Sequence, residues 1–226
     1  GMTGTVLKFA LVVDVTASQQ PNINAIREYL KQIINDVMKK VSVVVEIALV
    51  LYTDHEQNGE KAEFVTKVVP FSRNVQDVLE KISNITASGG GDLCEAVGTA
   101  MHKVLTELDW SVPPDSFDEP VSMAVWITDA PGHGIGGEGD FFPNGCPGFD
   151  STELSQEFVK KGICVSVAAC RTRGDPRITS PYSAGNAWFR RLASITGGAF
   201  VNLGDAQQLV AVVTNTAVET VELNAL

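Results

Sequence analysis

No stretch of this chain is apolar for long enough to cross a bilayer. Its longest hydrophobic run, around Val43 to Leu51, is broken by Glu46 and is about half the length of a spanning helix. The N-terminus shows no basic segment followed by an apolar one, so no secretion signal is expected and a cytoplasmic location is. Cysteine is scarce, with four residues, at 94, 146, 164 and 170, and no C-x-x-C pair among them. That usage excludes a disulfide framework and a zinc-ribbon spacing. Cys164 and Cys170 bracket an apolar stretch and are expected as reduced core residues. Positive charge is also short: 17 Lys and Arg stand against 27 Asp and Glu, a net −10. Such a surface repels phosphate backbones and anionic headgroups, which removes nucleic acid and membrane from the first-choice partners. No P-loop and no G-x-S-x-G occur, which argues against nucleotide hydrolysis and esterase chemistry.

What is present is ordinary globular material, 44% hydrophobic and 19% charged over 226 residues. It suffices for a sizeable core, and the length favours a single domain over 1–226. Strand and helix signals alternate along it. Leu7 to Val13 and Val43 to Tyr52 are compact apolar runs that predict buried strands, and Ile23, Ile26, Leu30, Ile33, Ile34, Val37 and Met38 between them recur at helical spacing. Phe64 to Phe71 suits an edge strand, antiparallel after the loop 54–62. Helices are expected over Val75 to Ile85 and Leu93 to Leu108, then a strand over Ser122 to Thr128. A Gly- and Pro-rich loop, Ala130 to Asp150, precedes a helix Thr152 to Lys161 and a strand Ile163 to Ala169. After a polar loop, 171–185, come a helix Asn186 to Thr196 ended by Gly197 and Gly198, a strand Ala199 to Leu203, and a C-terminal helix capped by Asp205.

This alternation predicts an α/β, Rossmann-like, doubly wound fold: a mostly parallel sheet with one antiparallel edge strand and helices on both faces. Ligands in such sheets bind beyond the carboxyl ends of the strands, where strand order reverses. Three loops at those positions are rich in oxygen donors. Asp14-Val15-Thr16-Ala17-Ser18 follows the first strand and sets a carboxylate and two hydroxyls on alternate residues. Asp129 follows the strand 122–128. Ser88-Gly89-Gly90-Gly91-Asp92-Leu93-Cys94-Glu95 opens a helix between them. Each has a simpler explanation alone: Thr16 and Ser18 as turn formers, Asp92 and Glu95 as a capping box, Asp129 as an Asx turn. Their coincidence at one sheet edge favours a metal site, and oxygen donors without histidine or thiolate suit Mg²⁺ or Mn²⁺.

Asp14-x-Thr16-x-Ser18 resembles the D-x-S-x-S loop of the metal-ion-dependent adhesion site in von Willebrand factor type A domains. YTDH (52–55), ITASGGGDLCEAV (85–97), WITDAPGHG (126–134) and DFFPNGCPG (140–148) look like blocks of the type A domains associated with α-kinases and their stand-alone relatives. The resemblance covers most of the chain in the same order. It implies a six-stranded sheet with the metal at its top, held by Asp14, Thr16 and Ser18 from the first loop and by Asp129, often through water, from the third. For the second loop, the threonine of many type A domains aligns with Gly91. The integrin β-type alternative, a glutamate after an aspartate, matches Asp92 and Glu95, and both are carried as ligands. Thr16 replaces the commoner serine but keeps the hydroxyl. Cys94, inside that loop, could draw softer metals, although a helix-interior contact is the simpler expectation.

The implied function is protein binding in which a partner's acidic side chain completes the metal shell, with movement of the C-terminal helix from Asp205 onward. Two alternatives stand beside it. A Mg²⁺-dependent phosphoryl-transfer enzyme of the haloacid-dehalogenase kind would need a second aspartate where Thr16 stands. A metal-free scaffold would need no cation. His133 and His55, in loops, are candidates to lie near the metal but are expected to be exposed, and His102, on a helix, is expected at the surface. Arg173-Gly174-Asp175 is a three-residue chance match to an adhesion tripeptide. Trp110, Trp126 and Trp188 read as packing residues.

Overall fold

The sheet begins with β1 (Val6–Asp14), nine residues that are all buried. A strand covered on both faces has no polar side to alternate with, which is why its sequence is a continuous apolar run. The computed structural model describes residues 4–57, 59, 61–135, 139–170, 181–202 and 206–224. After a 3₁₀ turn, Ala17–Asn22, come α1 (Ile23–Lys40), β2 (Val44–Tyr52), β3 (Thr66–Ser72), α2 (Val75–Ser83), α3 (Val97–Glu107), β4 (Val121–Thr128), α4 (Ser151–Lys160), β5 (Ile163–Ala169), α5 (Pro181–Thr196), β6 (Phe200–Asn202) and α6 (Ala206–Asn224).

The six strands lie in the order β3-β2-β1-β4-β5-β6. Only the β2–β3 pairing is antiparallel among them. This is the expected α/β, Rossmann-like, doubly wound sheet, and helices cover both faces. On one face Phe9, Leu11 and Val13 of β1 meet Ile26, Leu30, Ile33 and Ile34 of α1, with Val78 of α2 and Val210 and Ala217 of α6 in the same core. On the other, Ala10 and Val12 meet Val97, Met101 and Val104 of α3, Phe158 of α4 and Phe189 of α5 around Trp126. The chain leaves β1 toward β2 on one side and reaches β4 on the other, so the crevice opens between the carboxyl ends of β1 and β4.

Two helix starts differ from expectation. α3 begins at Val97 rather than Leu93, because groups that a helix from Leu93 would use internally are bonded elsewhere: Ala96 N–H donates to Thr53 O (3.1 Å) and the Glu95 C=O accepts from His133 N–H (3.2 Å). α5 begins at Pro181, inside the expected loop 171–185, and a proline suits the first turn of a helix. The Asp205 cap, the end of the last expected strand at Leu203 and the tripeptide 173–175 lie outside the described residues. All four cysteines are free; Cys170 is buried and Cys164 partly so. Trp126 is fully buried, and Trp110 and Trp188 pack at the edge of the same core.

Candidate metal centre

Asp14 is the last residue of β1 and has no exposed surface. Its Oδ1 accepts hydrogen bonds from Thr16 N (3.0 Å) and Thr16 Oγ1 (2.7 Å), and its Oδ2 from Thr128 Oγ1 at the end of β4 (3.2 Å). Thr16 Oγ1 lies 3.0 Å from Ser18 Oγ, so the three oxygens of the first loop are contiguous. The second loop is laid against them by its backbone: Ser88 N–H donates to Val15 O and Ala17 N–H to Gly89 O, both at 2.9 Å. Gly90 has φ +93°, and a Cβ there would sit 3.4 Å from Thr16 Cβ and 3.5 Å from Glu95 Oε1. The Glu95 carboxylate thus reaches Thr16 across a residue with no side chain. It is 3% exposed, and its Oε2 has no hydrogen-bond partner among the described residues.

Asp129 follows β4 and lies close enough to Asp14 to hydrogen-bond its carboxyl. Burial, then the Asp129 charge, raise the Asp14 carboxyl well above the usual carboxylate range, against the lowering effect of the Thr16 bonds. Glu95 is raised likewise, by burial and then by the charges of Asp14, Asp54 and Asp129. Among the described residues no lysine or arginine forms an ion pair with Asp14 or Glu95. The Tyr52 hydroxyl, buried and facing the Asp14 charge, accepts a hydrogen bond from Trp126 Nε1 at 2.9 Å and is also pushed upward.

Five of the six candidate ligands therefore converge: Asp14, Thr16, Ser18, Glu95 and Asp129. Asp92 does not join them. It caps no helix; its Oδ1 accepts from Cys94 N (2.9 Å) and its Oδ2 from Phe141 N (2.8 Å). Gly91, at the aligned threonine position, is closely approached: a Cβ there would stand 3.0 Å from Gln57 Oε1, so a side chain would push that amide aside by a few tenths of an ångström.

His133 overturns the expectation of exposure, while His55 and His102 keep part of their surface. His133 is 1% exposed, its Nε2 2.6 Å from Asp54 Oδ1 and its Nδ1 2.7 Å from Asp140 Oδ1. Burial alone would lower its pKa, but the two aspartates outweigh that and raise it. His55 is half-buried, 2.8 Å from Thr99 Oγ1, and His102 packs its ring 4.2 Å from that of Phe149. Cys94 is fully buried, in the loop before α3 rather than in a helix interior. Asp54 and Asp140 were not singled out in the sequence, although Asp54 stands two residues past β2 at the same sheet edge.

No protein-family model matches the chain. A curated relative, the putative ariadne-like RING finger protein R811 of Acanthamoeba polyphaga mimivirus, is 23% identical over 193 residues, which is 85% of this chain and 18% of that protein. Among solved structures, proximal thread matrix protein 1 from the mussel byssus superposes with TM-score 0.62 at 15% identity, over 96% of this chain and 47% of that one. A form of it described as having a zinc-occupied metal-ion-dependent adhesion motif gives TM-score 0.61 at 15% identity, over 95% and 46%. A von Willebrand factor type A protein from Catenulispora acidiphila gives 0.59 at 13% identity, over 95% and 42%. The chain spans less than half the length of each of these, and the likeness shows that its fold is von Willebrand factor type A-like.

Proposed function

We propose that this chain is one type A domain whose metal-ion-dependent adhesion site binds a protein through a divalent cation. Asp14, Thr16, Ser18 and Glu95 would contact the ion, Asp129 would act through water, and an acidic side chain of the partner would complete the shell. The observation that carries this reading is the meeting of two buried carboxylates, Asp14 and Glu95, beside Asp129 at the carboxyl ends of β1 and β4, with no lysine or arginine among the described residues paired to Asp14 or Glu95. Carboxylates buried that way are costly unless a cation compensates them. Oxygen-only donors favour Mg²⁺ or Mn²⁺. The zinc-occupied motif described for the mussel protein indicates that sites of this kind accept other dications in vitro.

The stand-alone or α-kinase-associated subtype is supported by contacts between its sequence blocks. Asp54 of YTDH bonds His133 of DAPGHG, and Asp140 of DFFPNGCPG bonds the same ring. The role is binding rather than catalysis, since Thr16 occupies the position where phosphoryl transfer needs an acid. Four free cysteines suit a reducing cytoplasm, and no described helix is long and apolar enough to cross a membrane. The test is selection from a random peptide display library on immobilised protein in Mg²⁺, with elution by EDTA. Eluted peptides should be enriched in Asp or Glu, and Asp14→Ala should yield none. Binding that survives EDTA or Asp14→Ala would overturn the reading.

A further inference from the structure

Beside the adhesion site lies a second group of potential ligands with different chemistry. Cys94 Sγ, a ring nitrogen of His133 and a carboxylate oxygen of Asp140 all lie within 4.8 Å of one another. The nitrogen on this side is Nδ1, 2.7 Å from Asp140 Oδ1, while Nε2 faces Asp54 at 2.6 Å. The group is sealed from solvent: Cys94 is 0% exposed, His133 1%, and the Asp140 side chain 3%. Main-chain hydrogen bonds hold His133 and the Asp140 carboxylate in place. His133 N–H donates to Glu95 O (3.2 Å), and Asp140 accepts from Gly134 N and Phe142 N, each at 2.8 Å.

We propose that Cys94 Sγ, His133 Nδ1 and the Asp140 carboxylate form a second cation site, selective for Zn²⁺, with Asp54 holding the far side of the imidazole. Sulfur, nitrogen and oxygen together suit a borderline-soft ion and not Mg²⁺. Three protein ligands leave a fourth tetrahedral position for water. A ligating histidine commonly donates its other N–H to a carboxylate, and His133 already makes that bond to Asp54. Binding removes one proton from Nδ1 and one from Sγ; the dication replaces them, the imidazole becomes neutral, and the Nε2–H bond to Asp54 persists. Ligand atoms around tetrahedral zinc stand about 3.3 Å apart, so Nδ1 and Asp140 Oδ1 must spread by roughly half an ångström. The trio Asp54, Asp92 and His133 also meets the distance condition. It contains no thiol, and its use would break the Asp54 bond that orients the ring.

The inference stands apart from the adhesion reading, and Asp14→Ala separates the two. Reduced, EDTA-stripped Asp14→Ala protein is titrated with Co²⁺ and then Zn²⁺. One thiolate-to-cobalt charge-transfer band per chain is expected in the near ultraviolet, displaced by Zn²⁺. It should be absent when Cys94→Ser is added and kept with Cys146→Ser. Asp54→Asn should weaken zinc binding about 10–100-fold. No band, or a band that survives Cys94→Ser, overturns the proposal. Should the serine variant fail to fold, Asp140→Asn decides, since it leaves every cysteine in place: at least tenfold weaker zinc binding supports the site, and unchanged affinity refutes it.

Discussion

Replacing Asp14 by asparagine should raise the stability of the metal-free protein and abolish its gain from a divalent cation. Without a cation, Asp14 shares a buried pocket with Glu95 and Asp129. An uncompensated charge in such a place costs about 3–5 kcal/mol. Asparagine has nearly the same shape and keeps an oxygen for the two bonds from Thr16. It gives up the acceptor facing Thr128 Oγ1, a loss of about 1 kcal/mol, since that hydroxyl also bonds Ala130 O at 3.0 Å. The net gain for the EDTA-treated variant is about 2–4 kcal/mol. At about 2–4 °C per kcal/mol for a domain of this size, its midpoint should rise by about 4–16 °C. Mg²⁺ or Mn²⁺ at a hundredfold excess over its dissociation constant should stabilise wild type by about 2.7 kcal/mol and the variant hardly at all. Thermal unfolding by circular dichroism, with and without the ions, reads both effects. A variant less stable than wild type in EDTA, or equally stabilised by Mg²⁺, would refute the account of the pocket as a compensated carboxylate cluster.

The same cluster sets a pH dependence. The folded-state pKa values of Asp14 and Glu95 lie above those of the unfolded chain, about 3.9 and 4.3. Their contribution to stability is therefore complete below about pH 4 and is lost as pH rises through the folded values. EDTA-treated wild type should melt at a lower temperature at pH 8 than at pH 5.5, saturating Mg²⁺ should remove much of that slope, and a slope in EDTA unchanged by Asp14→Asn would count against the assignment. Gly90→Ala forces a side chain into φ +93° against Thr16 and should cost about 1–3 kcal/mol in urea unfolding, with a weakened Mg²⁺ response. Gly198→Ala would put a Cβ 2.0 Å from Val165 O, where β5 and the approach to β6 touch. It should cost more than about 4 kcal/mol and yield little folded protein, and wild-type-like stability would contradict the packing.

The strands were legible because burial on two faces writes itself into sequence as an uninterrupted apolar run. β5 has the bounds that its composition predicts, and β1 extends one residue further at each end. The start of α3 was not legible. Leu93 to Ala96 fits helical periodicity as well as its successors do, but the Ala96 N–H is claimed by Thr53 O and the Glu95 C=O by His133 N–H, residues far along the chain. Long-range bonds of that kind leave no trace in a local pattern. The candidate ligand loops come together for a topological reason: once Asp14 ends β1 and Asp129 follows β4 at the reversal point, their meeting follows from the sheet.

His133 shows where such reasoning stops. Two residues from a proline, in a glycine-rich loop, it has every local mark of an exposed side chain, yet its Nε2 bonds a residue 79 positions earlier. The partners, Asp54 and Asp140, each stand in a loop that is polar for other reasons, so neither stands out alone. What joins them is the segment 92–95, whose neighbouring residues serve different ends. Asp92 ties down Phe141 N, Cys94 faces His133 and Asp140, and Glu95 faces Asp14. The Glu95 backbone is itself held from both directions, N–H to Pro131 O and C=O to His133 N–H. One short non-helical segment therefore fixes both clusters at once, which a helix starting at Leu93 could not do: the Ala96 N–H and the Glu95 C=O would be spent on its own turns. The misplaced helix start and the misjudged burial of His133 share one physical cause, the use of main-chain hydrogen bonds to build a site instead of an element.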